Sequence, residues 1–179
     1  MVRCPVRRLL LLTAAAAALA QSPYSVGRPP TPDELARWDI SIRPDGKGLP
    51  AGQGSVSAGR EIYANRCARC HGTSGQGGDS LPLAGGQGTL NSPKPLKTVS
   101  SYWPYATTVF DYVRRAMPFD NPGTLSNDQV YSVTAYVLYL GGVVPVNTVL
   151  DPRSLPKVRM PNRDGFVPDP RPDTGSKKK

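Results

Sequence analysis

The chain has 179 residues, enough for one domain with long arms and too few for two comfortable cores. Its formal net charge is +9, but the basic excess gathers at the two ends. No basic stripe interleaved with stacking aromatics is present, so nucleic acid is not an expected partner. One histidine and three cysteines leave no second Cys/His pair to close a tetrahedral zinc site.

Residues 1–20 read as a signal peptide. Arg3, Arg7 and Arg8 form a basic start, Leu9 to Leu19 an apolar run, and Ala18-Leu19-Ala20 a small-residue cleavage site. The run is too short to span a bilayer, so cleavage is expected rather than a stable membrane span. Cys4 and three basic residues leave with the signal, so 19 basic and 13 acidic residues remain. Of these, residues 151–179 hold 8 basic and 4 acidic, which makes the charge largely a property of a solvated tail ending in Lys177-Lys178-Lys179. Residues 21–54 are rich in Pro and Gly and read as an arm packed along the domain surface. Pro32 can open one short helix there, with Thr31 as N-cap and Asp33 and Glu34 in its first turn. Leu35 and Trp38 are the only large apolar residues that this piece could bury.

The expected domain covers residues 55–145. A helical pattern runs from Ser57, a candidate cap, to His71, and it ends in Cys67-Ala-Arg-Cys-His71. Two thiols three residues apart can each add to a vinyl group of one haem, and the imidazole that follows lies against the iron as an axial ligand. The C-x-x-C-H run is specific because the histidine must follow the second cysteine directly. A thioredoxin-type dithiol would need a βαβ pattern around it, and none is visible. With both remaining cysteines on haem, no structural disulfide can form, although export permits one. Export and this motif together point to the periplasm. Gly59 weakens an exposed helix by about 1 kcal/mol relative to Ala, a cost tolerated where another helix must approach closely.

Gly72 to Gly78 cannot continue a helix and reads as a loop around a haem edge. Residues 79–104 show little regular pattern, and a haem would give such an irregular stretch a surface to pack on. A second helix is expected over 105–116, opened by Pro104 and stopped by Met117-Pro118, with Val109, Val113 and Ala116 on one face. The third is marked by a Ser126/Gln129 capping box and by Val130, Val133, Val137 and Leu140, and Gly141-Gly142 ends it. Residues 146–179 form a Pro-rich basic arm in which Met160 and Phe166 alone look able to dock. The fold is therefore expected to be all-α, with three principal helices around one covalent haem and long irregular arms.

With His71 the only histidine, an intramolecular bis-His haem is excluded. Two methionines remain after signal removal: Met117, 46 residues beyond His71, and Met160, 89 residues beyond it. Met117 is the expected second axial ligand, and Met160, a lysine or an open position are the alternatives. Trp103, Tyr102 and Tyr105 could hydrogen-bond haem propionates or simply pack. Lys97, Arg114 and Arg115 could pair with propionates or an acidic partner, or remain solvated.

A helix ending in C-x-x-C-H, a Met-Pro pair and a last helix with paired tyrosines resemble class I cytochrome c. In that family the first and last helices cross at a small residue, which Gly59, Tyr63 and Tyr136 match here. Three runs carry a narrower likeness: Ser101–Thr108, Phe110–Phe119 and Leu155–Phe166. They are similar to the cytochrome subunit of Sox sulfur dehydrogenase and to cytochromes that accompany molybdenum sulfite dehydrogenases. The full sulfur dehydrogenase subunit often carries two haem domains, and this chain has one motif. The resemblance implies an electron-transfer protein, or a subunit of an oxidoreductase complex, without catalysis of its own. It would take electrons from a molybdenum-cofactor sulfite or sulfur dehydrogenase subunit and pass them to another cytochrome or a terminal oxidase. A haem enzyme, peroxidase-like or thiol-oxidising, and a haem-based ligand sensor are the competing functions. With its only histidine on the iron and no free cysteine, the chain lacks the usual acid/base and nucleophile candidates.

Overall fold

The computed structural model describes residues 27–171. The expected signal peptide and the Lys177–Lys179 end of the tail lie outside the described residues. The chain divides into two compact units, one up to Ile40 and one from Ser41 onward.

In the first unit, α1 (Pro32–Trp38) starts where the sequence indicates. The Thr31 side chain accepts from the Glu34 N–H, and Glu34 reaches back to the Thr31 N–H, a full capping box. Arg28 beside Glu34 holds its carboxyl down to about 2. Leu35 and Trp38 stay exposed.

The second unit opens on residues 41–53 and then forms a two-stranded antiparallel pair, β1 (Gly54–Ser55) with β2 (Val149–Leu150), Gly54 lying opposite Leu150. Strands of two residues leave no period in the sequence, and the helix-based reading did not include them. The pairing has a consequence for the next element. It holds Ser55 in extended backbone (φ −101°, ψ 157°), the geometry an N-cap needs, and the Ser55 hydroxyl accepts from the Ala58 N–H at 3.1 Å. Ser55, rather than the expected Ser57, therefore caps α2 (Val56–Arg66).

The helix expected to run unbroken to His71 is interrupted at Cys67 (φ −125°, ψ −37°) and resumes as α3 (Ala68–His71). α4 (Ala106–Ala116) and α5 (Asn127–Leu140) follow close to their expected limits, α5 with its Ser126/Gln129 capping box in place. Every residue of α5 from Val130 to Leu138 is buried, because the helix is covered by α2, α4 and the β pair. α2 and α5 touch at Gly59, where a Cβ would collide with the Ser132 carbonyl and meet Tyr136. One turn on, the rings of Tyr63 and Tyr136 stand 5.2 Å apart.

The C-terminal stretch contributes more to the core than its composition suggests. Met160 is 1% exposed, as its expected docking requires, but Leu150 in β2 and Leu155 in a 3₁₀ turn (Leu155–Lys157) are buried as well. Phe166 stays half exposed with its ring against Tyr102. No helix among the described residues is long and apolar enough to cross a membrane.

Candidate functional site

A cavity of about 1160 Å³ opens in the second unit, at the upper end of the range for small-molecule sites and suited to a large cofactor. Cys67, Cys70 and His71 line it from α3 and the residue before it, and Met117 lines it from the end of α4. Val109 and Val113 of α4, with Val133 and Val137 of α5, supply apolar lining. The helix faces marked by the sequence periodicity are thus the faces that form this cavity.

The break at Cys67 places both cysteines on one short turn. The Cys67 carbonyl accepts from the N–H groups of Cys70 (3.1 Å) and His71 (3.0 Å), so the thiols project as i, i+3 neighbours. Burial pushes the Cys67 thiol up to about 11. At neutral pH it is protonated, the opposite of the low-pKa thiolate of a redox dithiol. His71 is fixed by its other ring nitrogen: Nδ1 lies 2.9 Å from the Leu81 carbonyl, which can only accept. Nδ1 therefore carries the proton, and Nε2 keeps its lone pair for a metal.

The glycine-rich loop after His71 folds back on α3. The Gly77 N–H donates to the His71 carbonyl at 2.8 Å and the Ser80 N–H to the Cys70 carbonyl at 2.9 Å, which satisfies carbonyls that the short helix leaves over. Gly72 turns the chain there with φ +78°, a conformation natural to glycine. Its carbonyl accepts from the Tyr63 hydroxyl at 2.9 Å.

Met117 is half-buried at the cavity, its N–H bonded to the Val113 carbonyl at 3.1 Å. Met160, the alternative thioether, lies in the hydrophobic core and does not line the cavity. Of the three aromatics before α4, Trp103 lines the cavity, whereas Tyr102 packs on Phe166 and Tyr105 under Arg163. Of the three cations, Lys97 lines it and the two arginines do not; Arg115 pairs instead with Asp111 at 2.7 Å.

Three features escaped the sequence reading. Thr98 is buried at the cavity with its hydroxyl bonded to the Gly85 carbonyl at 2.6 Å. Tyr63 and Tyr112 both line the cavity, although the sequence places them only on helix faces. Arg69 and Asp120 pair at 3.6 Å across residues that border it. A Thr-x-Ser-Ser cluster in an otherwise irregular stretch was the available sign for the first; nothing local announces the other two.

Two thiols one turn apart, a ring nitrogen with a free lone pair, a thioether, an apolar lining and a bordering lysine together fit a covalently attached haem. The comparisons with known proteins agree. The family model described as Cytochrome c matches residues 56–141, and covalent haem c is the cofactor of that domain. The chain is similar to the thiosulfate dehydrogenase of Stutzerimonas stutzeri (strain A1501), 29% identical over 93 residues, which are 49% of this chain and 28% of that protein. It thus spans little more than a quarter of that curated relative's length. It is also similar to a chain in the crystal structure of the sulfane dehydrogenase SoxCD from Paracoccus pantotrophus, with 44% identity and a TM-score of 0.77. That likeness covers 87% of this chain and 79% of the other. The chain belongs to the cytochrome c family.

Proposed function

We propose that the chain is a periplasmic electron carrier with one covalent haem c, exported by a cleaved signal peptide. Cys67 and Cys70 form the thioether links, and His71 Nε2 and the Met117 sulfur hold the iron from its two axial positions. The bound haem supplies a one-electron ferric/ferrous couple. Each protein group has a separate task. The Leu81 carbonyl fixes the tautomer and aim of His71. A thioether at the sixth position favours a high potential and closes the iron to added ligands. The valine lining keeps water off the cofactor. The observation that carries this reading is the convergence of all four ligand-type residues on one apolar cavity.

Electron exchange then takes place at the border of that cavity, where Leu81 and Phe119 are 81% and 85% exposed. Large apolar side chains left in water beside a redox site suit brief contact with a partner. The donor in this proposal is a molybdenum-cofactor sulfite or sulfur dehydrogenase subunit, and the acceptor another cytochrome or a terminal oxidase. The SoxCD likeness supports the first half of that chain of transfer.

The test is a visible spectrum of protein purified gently from periplasm, before and after adding sulfite, and again with a molybdenum subunit added back. A low-spin haem reduced by sulfite only when the molybdenum subunit is present is the expected result. Failure of reduction even after add-back would remove the sulfite donor. High-spin haem at neutral pH would instead remove Met117 from the iron and the carrier reading with it.

A further inference from the structure

The segment from Met160 to Phe166 has no task in electron transfer as described, yet it grips the stretch of chain that brings Trp103 to the cavity. The Asn162 side-chain amide donates to the Tyr102 carbonyl at 2.7 Å. That carbonyl belongs to the same peptide unit as the Trp103 N–H, so the bond fixes the plane from which Trp103 departs. The Arg163 guanidinium lies 4.3 Å over the Tyr105 ring, and Phe166 meets the Tyr102 ring at 5.2 Å. Both immediate flanks of the Trp103-Pro104 pair are thus held from the C-terminal side.

What these flanks hold faces the cofactor site. Trp103 lines the cavity and stands edge-on to Tyr112 at 5.7 Å. Lys97, also a lining residue, sets its ammonium 5.1 Å over the same Tyr102 ring. The gripping segment is firmly seated. Met160 is buried in the core, and the turn after it is closed by Arg163 N–H to the Met160 carbonyl (3.1 Å) and Gly165 N–H to the Asn162 carbonyl (3.2 Å). A buried anchor of this kind does not suit a detachable flap.

We infer that Asn162 and Arg163 are positioning residues for the haem cavity: by fixing the 102–105 stretch they hold Trp103 and Lys97 in its wall and so set the reduction potential. The inference rests on the reading that the cavity holds haem. Its direction follows from charge. The ferric state carries one more positive charge than the ferrous, so water admitted beside a loosened Trp103 favours ferric haem. Retreat of the Lys97 cation favours it too. Both effects lower the potential.

The experiment compares wild-type holoprotein with Asn162→Ala, Arg163→Leu and Arg159→Ala by redox titration and Soret circular dichroism. Arg159→Ala serves as control, because it breaks the Arg159–Asp164 ion pair in the same segment without touching Tyr102 or Tyr105. Asn162→Ala and Arg163→Leu should each bind haem, lower the potential and alter the Soret dichroism, while Arg159→Ala leaves both unchanged. In a Trp103→Phe background the effect of Asn162→Ala should shrink, since both changes act through one group. Lower melting temperature with unchanged potential and Soret signal in both test variants would overturn the inference. An equal shift in Arg159→Ala would overturn it as well, by showing general loosening. Should one test variant fail to fold, the other decides by the same readings. A wild-type protein without haem absorbance would refute the underlying reading instead, and is seen before any variant is made.

Discussion

Met117 and Met160 carry the same side chain into opposite settings. Met117 caps α4 at the cavity, whereas Met160 is enclosed by apolar side chains of the core. Truncating each to alanine should therefore fail in different ways. Met117→Ala should keep haem attached but convert it toward high spin and lower its potential, because a thioether ligand is lost. Met160→Ala should leave the visible spectrum as it is and cost about 2–5 kcal/mol in stability, the usual range for emptying a buried methionine site. Spectra and denaturant titrations of the two holoproteins check both outcomes; a spectral change in Met160→Ala alone would reverse the assignment. The sequence could bring the choice down to these two by elimination, and the Met-Pro pair after a helix favoured Met117. Burial of Met160 depends on where the chain returns after β2, which no local pattern records. The same division holds for the aromatics. All three of Tyr102, Trp103 and Tyr105 were legible as candidates, but contacts with residues some 60 positions away decide which one faces the cavity.

At the scale of elements, the helices were legible because their signals are local. The capping box of α5 and the stop at Met117-Pro118 lie within a few residues of the ends they set. The β1–β2 pair joins residues almost a hundred positions apart, and with it went the true cap of α2. The break at Cys67 is likewise invisible in the periodicity, since α3 continues in nearly the same register. Gly59 is the case where a local oddity carried tertiary information. It is a poor helix former in mid-helix, and the structure shows Ser132 of α5 against the place where its Cβ would stand. The obstacle is a backbone carbonyl, which can yield only if α5 itself shifts. Gly59→Ala should therefore destabilise the holoprotein by about 1–3 kcal/mol despite the better helix propensity of alanine. Chemical denaturation at matched haem content reads this directly. A gain in stability would mean that the two helices have room to part.

For the whole molecule, Tyr131 marks the point where the start of the second unit, α5 and the C-terminal stretch converge. Its hydroxyl donates to the Pro50 carbonyl at 2.9 Å, its ring lies 4.4 Å from that of Phe110, and the Asp151 carboxylate adds a repulsive charge nearby. Burial is the larger cause, and together they push the tyrosine up to about 12. In the unfolded chain a tyrosine ionises near pH 10. Between pH 10 and about 12 the unfolded state therefore gives up a proton that the folded state still holds, and stability falls as pH rises. Below pH 10 the contribution is complete. Tyr63, also raised to about 12 mainly by burial, adds a second slope in the same window. Tyr131→Phe should lose about 1 kcal/mol at neutral pH, the net value of one hydrogen bond, and should show a shallower decline above pH 10 than the wild type. Urea midpoints measured from pH 8 to 11 distinguish the two effects. An unchanged alkaline slope would mean that Tyr131 ionises as freely in the fold as outside it, and that the three segments do not close over its hydroxyl.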